Sequence, residues 1–318
     1  MKTSVVSVAR KLKFYQLVIF DQVVKSGSLL RAAEVLNMTQ PAVTKVIHEM
    51  ESYFAAPLLV RGNRGVCVTE LGDLVLVRAR SMLAELRALS DEVEAYQEGN
   101  SGHVVVGTLI SATTSLLPRA LRLLKERAPR VLVSVQIGQF DQLFPALIAG
   151  EVDLVVGRVP DDWRGSGEAR ALGVDVLYDE QLCIVGGVGH PLHQRATLDV
   201  ADLHPYPWVL PPPGSLLRRT VNQVFAEADL PLPSNVIESL SVLTNVALMQ
   251  DQQTIDLLPL ETTRQVAGPG GVRAFDLNVA LRFGDIGCFY SNGRKLGPAA
   301  KLFRECLHLA CDAYQDKG

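Results

Sequence analysis

The chain has 318 residues, 48% of them hydrophobic and 20% charged, which suits two or three soluble domains with sizeable cores. No apolar run reaches the ~18 residues of a membrane span. The start, MKTSVVSVARKLKF, lacks both a continuous apolar stretch and a small-residue cleavage site, so it reads as a short leader rather than an export signal. The net charge of −3 is unevenly spread: residues 1–66 hold nine Lys/Arg against four Asp/Glu, a +5 front on a −8 body. A basic front end of this kind points to a polyanionic partner.

Chain order begins, after the leader, with FYQLVIFDQVVKSG (14–27). Its apolar residues fall at helical spacing and Gly27 stops the helix. Ser28 is placed to cap a second helix, whose Leu29, Ala32, Ala33 and Leu36 share one face. Thr39 is placed to cap a third, with Pro41 in the first turn, where a missing N–H does no harm. Val43, Val46, Ile47 and Met50 form its buried stripe. Three helices with so tight a break between the second and third describe a helix-turn-helix. PLLVRGNRGVCVTELG (57–72) then reads as two short strands around a Gly/Asn turn carrying Arg61 and Arg64, a basic wing. From 70 to 97 one long helix is expected, with Leu71, Val75, Arg78, Met82, Leu86, Leu89, Val93 and Tyr96 recurring at spacings of three and four. Pairing with a second copy is the economical way to bury that stripe, and EGNSGH (98–103) supplies a hinge.

Beyond 104 the texture becomes strands alternating with helices. Strands are expected at 104–109, 131–137, 152–157, 181–186, 208–210, 235–239, 254–259 and 287–292, and helices at 115–127, 141–149, 215–228, 240–251 and 298–314. That alternation implies a mostly parallel sheet with helical cover, divided between two small lobes. PYPWVLPPPG (205–214) reads as a rigid turn.

The third helix carries the clearest chemistry. Gln40, Thr44 and His48 lie four apart, with Lys45 beside them and Thr39 at the start. This face has amide, hydroxyl, imidazole and ammonium groups and almost no carboxylate. Gln pairs bidentately with adenine, Lys with guanine, and Thr meets a thymine methyl. The helix N-terminus favours phosphate, and together these features suit a major-groove reader.

SGSLLRAAEVLNMTQPAVTKVIHEMES followed by APLLVRGNRGVCVTELG resembles the winged helix-turn-helix of LysR-type transcriptional regulators. Thr44 stands where serine is usual, Lys45 where arginine is common, Met50 where leucine is usual, and Leu59-Val60 replaces the frequent Leu-Phe. The resemblance covers about residues 12 to 312. It implies a winged helix-turn-helix at 12–69, a dimerising linker helix at 70–98 and a two-lobed α/β effector domain at 99–318, similar to periplasmic solute-binding proteins. Lobe I would take about 102–170 and 276–318, lobe II about 171–275. DNA contacts would come from Ser28, Arg31, Thr39, Gln40, Pro41, Thr44, Lys45, His48, Arg61 and Arg64.

The same resemblance carries an effector pocket onto Ser111, Thr113 and Thr114 before the first body helix, and onto Gly138, Gln139 and Phe140 after the second body strand. In lobe II it falls on Pro213, Gly214 and Ser215, and on Ser239 and Ser241. All lie at carboxyl ends of expected strands, where open α/β sheets bind ligands; helix capping is the alternative role for each hydroxyl. MQDQQTID stands where the family has a Gly-rich run. SLSVLTN and LLPRAL look most like the members that control sugar uptake or protocatechuate-type aromatic catabolism. The expected partners are therefore a pseudo-palindromic duplex DNA, a small organic (aromatic) acid or sugar-like effector, RNA polymerase, and further copies of the chain as dimer and tetramer. The expected place is the cytoplasm, with no membrane partner and no cofactor.

Other motifs fall short. The five cysteines (67, 183, 288, 306 and 311) form no C-x-x-C and no zinc spacing, so idle thiols in a reducing cytosol are expected over a peroxide-sensing pair. GGVGHP (186–191) lacks the third glycine of a dinucleotide fingerprint. His190, His193 and His204 lack a carboxylate at ligand spacing, and no G-x-S-x-G elbow occurs. Two rival readings stay open here. An α/β enzyme with a DNA tether would turn over a bound small molecule. An architectural DNA-binding protein would bind DNA indifferently to every effector. A secreted solute-binding protein is a weaker third, since it needs an export signal.

Overall fold

The computed structural model describes residues 11–62, 65–98, 102–109, 114, 116–251, 253–268, 270–278 and 281–315. The expected leader falls largely outside them. The head begins with α1 (Phe14–Ser26), α2 (Leu29–Val35) and α3 (Gln40–Phe54), each presenting its apolar stripe to one core. Ile19, Phe20, Val23, Ala32, Val43, Ile47 and Met50 there have no accessible surface. The Ser28 hydroxyl accepts from the Arg31 amide at 3.4 Å and starts α2. Thr39 occupies the cap position of α3 but makes no side-chain capping bond. The expectation of a Thr39 side-chain cap is corrected: its carbonyl, not its hydroxyl, receives the Ala42 and Val43 amides.

β1 (Leu59–Gly62) and β2 (Gly65–Val68) pair antiparallel from Leu59↔Val68 to Gly62↔Gly65. The Val66 amide donates to the Gly27 carbonyl at 3.0 Å, which ties this wing to the end of α1. Thr69 caps the next helix through the Gly72 amide at 2.9 Å. That helix, α4 (Glu70–Glu98), has 29 residues, and a rise of 1.5 Å per residue makes it ~43 Å long. Its apolar residues divide between two destinations. Val75, Leu76 and Ala79 are buried in the head's own core, so Val75 does not belong to an intermolecular stripe as expected. Met82, Leu86, Leu89 and Val93 are 40–58% exposed and open to a partner.

In the body, β3 (His103–Thr108), β4 (Leu132–Ile137) and β5 (Leu154–Arg158) are parallel, in the order β4-β3-β5. β7 (Trp208–Leu210), β8 (Val236–Glu238) and β9 (Ile255–Pro259) form a second parallel group. Two long antiparallel strands join the groups: β6 (Leu172–Gly187) and β11 (Leu281–Ser291), in register from Leu281↔Leu182 to Ser291↔Leu172. β5 pairs with the far half of β11, and β9 with the far half of β6. The sheet is thus continuous in hydrogen bonding, yet its two ends are separate parallel units, which is the two-lobed layout expected. Both long strands start well before the expected 181–186 and 287–292. β10 (Val272–Ala274) had no expected counterpart.

Helices α5 (Leu116–Arg127), α6 (Phe140–Ala149) and α11 (Pro298–Gln315) cover the first unit. α7 (Val200–Leu203), α8 (Leu216–Glu227), α9 (Val242–Met249) and α10 (Leu260–Val266) belong to the second. Pro145 sits inside α6, where its ring removes one backbone donor. Among the described residues no helix is long and apolar enough to cross a membrane.

The start of α4 passes very close to the strand entering the wing. A Cβ at Gly72 would lie 2.0 Å from the Leu58 carbonyl oxygen, a backbone atom that cannot swing away. Gly72→Ala is expected to destabilise the head by about 1–3 kcal/mol through overpacking, measured by urea unfolding followed by circular dichroism; an unchanged midpoint would show that α4 starts elsewhere.

Candidate nucleic-acid interface and effector site

Burial of Val43, Ile47 and Met50 fixes the rotation of α3. The opposite face then points outward by necessity of the 3.6-residue period. Thr39, Gln40, Pro41, Lys45 and His48 are exposed and Thr44 half-buried. Arg31 is exposed on α2, and Ser28 is half-buried with its hydroxyl engaged as the cap. The expected absence of carboxylate needs one correction. Glu51 Oε2 lies 3.4 Å from His48 Nδ1. The other Glu51 oxygen accepts from the Leu58 and Leu59 amides at 3.0 and 3.3 Å, which holds this carboxylate against the wing entry. The backbone of Arg61 lies in β1 opposite Val66. Arg64 and the Arg61 side chain lie outside the described residues.

In the body, β3, β4 and β5 end at Thr108, Ile137 and Arg158, and β7, β8 and β9 at Leu210, Glu238 and Pro259. Register shows what these ends face. Arg158 and Tyr178 both lie opposite Ile286, while Pro259 and Leu281 both lie opposite Leu182. Both sets of carboxyl ends therefore run toward one short reach of the two crossing strands. Thr114, in the loop before α5, shares a hydrogen bond of 2.6 Å with Thr262 of α10, which joins the two units. Ser111 and Thr113 lie outside the described residues.

The other expected pocket residues are placed as follows. The Gly138 amide donates to the Thr108 carbonyl at 3.2 Å, and Gln139 starts α6 without a side-chain cap. The Phe140 ring packs on Phe144 and Phe289, with centroids at 4.6 and 5.9 Å. It lines a cavity of about 440 Å³ with Phe144, Pro145, Pro160 and Trp163. Pro213 and Gly214 are exposed in the turn before α8. Ser215 caps α8 by accepting from the Arg218 amide at 3.1 Å. Ser239 accepts from the Ser241 amide, and Ser241 in turn caps α9 through the Thr244 amide. Each of these three hydroxyls thus has an acceptor role already filled.

Sequence reasoning passed over a buried charged group at the same meeting point. Arg158 donates to the Phe283 carbonyl and, at 2.7 Å, to Asp161, with its guanidinium 5.2 Å from the centre of the Phe283 ring. Glu180 is 2% exposed and receives the Tyr178 hydroxyl at 3.0 Å. Glu261, 7% exposed, pairs with Arg264 at 2.5 Å and with Arg119 of α5 at 4.0 Å. None of these sits in a motif or a periodic stripe, so no local signal marked them. The expectation about thiols meets a mixed picture: Cys288, Cys306 and Cys311 are buried, Cys183 is half-buried and Cys67 exposed.

The helix-turn-helix with its wing, the long helix and the two-unit body match known proteins in the same order. Residues 14–73 match the model of the bacterial regulatory helix-turn-helix protein, lysR family, and residues 97–312 that of the LysR substrate binding domain. The chain belongs to the LysR family. It is 35% identical over 245 residues to the HTH-type transcriptional regulator GbpR of Rhizobium radiobacter, across 76% of this chain and 80% of that one. The fold is shared with full-length OxyR C199D from Pseudomonas aeruginosa, at a TM-score of 0.70 and 18% identity over 93% of this chain and 98% of that one. It is shared also with full-length CbnR in complex with its target DNA, at 0.65 and 21% over 94% and 100%. The chain is accordingly a LysR-type transcriptional regulator with a DNA-binding head and an effector-binding body, and not an enzyme.

Two buried carboxyls make stability depend on pH. Burial raises Glu180 from 4.5 to about 7, against the bond from Tyr178. Burial raises Asp256 likewise, from 3.8 to about 7, although Asn245 and the Leu257 amide donate to it. Between the ordinary carboxylate range and about pH 7 the folded chain holds protons that the unfolded chain has released. The contribution of these two carboxyls to stability therefore falls as pH rises through that window. The thermal midpoint is expected to drop between about pH 5 and 8, and to drop less steeply in Glu180→Gln. Parallel curves for the two proteins would show that Glu180 titrates normally.

Proposed function

We propose that this regulator reads a pseudo-palindromic operator with α3 in the major groove and answers to an organic (aromatic) acid or sugar-like metabolite held between its two units. The observation that carries the reading is the exposed row Gln40, Lys45 and His48 on a helix that buries Val43, Ile47 and Met50 on its other face. Gln40, Thr44, Lys45 and His48 meet base edges or nearby phosphates, and Thr39 and Pro41 lie at the phosphate-facing end of the helix. Ser28 and Arg31 hold backbone phosphate, and Arg61 and Arg64 reach the flanking minor groove or grip the backbone. The working division is a head at 12–69, a linker at 70–98 and an effector domain at 99–318.

Two copies pair along Met82, Leu86, Leu89 and Val93 of α4, and two such dimers form a tetramer. The effector lies among Ser111, Thr113, Thr114, Gly138, Gln139, Pro213, Gly214, Ser215, Ser239 and Ser241. Phe140 borders the same site from the aromatic cluster of Phe144 and Phe289. Effector binding favours one arrangement of the two units, and so biases DNA bending and contact with RNA polymerase. The protein acts in the cytoplasm.

Gln40→Ala is expected to relax base preference, costing about 1–3 kcal/mol at one operator position, read by competition binding against single-position operator variants. Uniform weakening across all duplexes would assign Gln40 to backbone contact instead. For the effector, a metabolite at 100 times its dissociation constant should add ~2.7 kcal/mol of stability. A thermal-shift screen of aromatic acids and sugars tests this, and silence from both classes would remove them. Leu89→Asp should halve the mass of the particle in light scattering with helicity intact; an unchanged mass would place the dimer contact off α4.

A further inference from the structure

The head and α4 meet the body at a built contact beside α6, and α4 also touches α11. α6 ends at Ala149, and Gly150 turns the chain at φ 79°, a left-handed value. The turn is pinned to the body from beneath. Arg294, between β11 and α11, donates to the carbonyls of Gly150 and Val152 at 3.2 and 3.4 Å and to Asp153 at 3.0 Å. Asp153 also accepts from the Val105 amide at 2.8 Å. Above the turn lies α4. A Cβ added at Gly150 would come within 2.4 Å of the Ala84 Cβ, so the helix and the turn touch where both lack bulk.

Next to this contact, Glu151 Oε1 lies 2.9 Å from Arg80 Nε of α4 and 3.2 Å from Lys25 Nζ of α1. Asp21 of α1 faces the same two cations, at 2.8 Å to Arg80 and 2.7 Å to Lys25. Two carboxylates and two cations thus alternate around one junction, and Glu151 is the member that the body supplies. Its contribution differs in kind from that of Asp21. Arg80 donates a directed hydrogen bond to Asp21. Glu151 Oε1 is shielded from solvent yet receives no directed hydrogen bond, so charge alone holds it. Without Glu151 the three head residues carry a net charge of +1, and with it the junction is neutral. The side chains are 12–45% exposed, and pairs this open to water are individually weak and screened by salt.

We propose that Glu151 is an electrostatic latch that sets the DNA-binding head against the first unit of the body in one orientation, and that its release frees the head to take others. A rigid seat on the body side and a charge-held contact on the head side are what a reversible joint requires. With the latch closed, α1, α4, β3–β5 and α6 move as one piece. With it open, the head follows α4 alone.

The test measures the distance between spin labels on Cys67, which is exposed on the wing, and on an Asp141→Cys substitution in α6, in a Cys183→Ala background. The full chain is diluted with unlabelled protein so that only distances within one copy are read. A narrow distribution is expected at low salt. It should broaden in Glu151→Gln, in Arg80→Glu and in the parent protein at high salt. The exchange Arg80→Glu with Glu151→Arg should narrow it again. An unchanged distribution in Glu151→Gln overturns the proposal, as does failure of the exchange to restore what the single changes lose, because packing at Ala84 and Gly150 would then be sufficient. If Glu151→Gln lowers the melting temperature, Lys25→Gln provides the same reading from the other side of the pair. The regulatory consequence rests on the DNA-binding reading above: unlatched variants should tolerate changed half-site spacing in the operator. Label distances are measured without DNA, so loss of operator binding leaves the latch test standing.

Discussion

The antiparallel pairing of β6 with β11 is the contact on which the body depends. From Leu182↔Leu281 to Leu172↔Ser291 these strands hold each other, and each gives its remaining edge to a different parallel unit. Such an arrangement aims the carboxyl ends of six strands at one reach of chain without any helix or loop having to place them. Register shifts between Arg282 and Gly284 and between Ile286 and Gly287 lie within that reach. Irregularities of this kind bend and twist a strand locally. The crossing is therefore both the joint between the units and the floor of the space between them.

Much of this architecture was legible in the sequence, and what was missed has a common physical origin. The head was readable because its order is local: Val43, Ile47 and Met50 repeat at helical spacing, and Ser28 is a capping residue at the right offset. The short parallel strands were readable as apolar runs between helices. β6 was readable only over 181–186, since its sixteen residues alternate between buried, half-buried and exposed with no single period. Its character is set by two different neighbours along its length. Arg158, Glu180, Glu261 and Glu151 were invisible for the same reason. Arg158, Glu261 and Glu151 each have a partner far away in sequence, Phe283, Arg119 and Arg80, and Glu180, though bonded by nearby Tyr178, lies opposite Gly284 of β11; one sequence gives no measure of such pairings. Val75 shows the converse error. Its spacing fitted a two-chain stripe, but the head reaches it first.

The buried charges at the crossing serve placement more than stability. A carboxylate or guanidinium taken out of water loses hydration that pairing only partly returns. Glu180 meets this cost by holding a proton near neutral pH, and Arg158 by stacking on Phe283 and bonding its carbonyl. Apolar residues of similar size would fill the same volume more stably. What they would not supply is orientation, since Arg158 has its geometry fixed by Phe283 of β11 and Glu180 by Tyr178 of its own strand.

Two different kinds of contact thus restrain the parts of the protein. The Thr114–Thr262 bond joins the units of the body through neutral hydroxyls, with the longer Arg119–Glu261 pair beside it at 4.0 Å. The Glu151 junction joins body to head through charge, which salt does disturb. On the proposed reading, a ligand between the units competes with the first kind of contact directly and with the second only through rigid motion of the first unit. The ligand can shift the arrangement of the units only by the difference in its affinity for the two arrangements. Weak restraints at both joints are then an advantage, because a modest difference suffices to move them. A tightly bonded head would need a larger difference from the same small molecule.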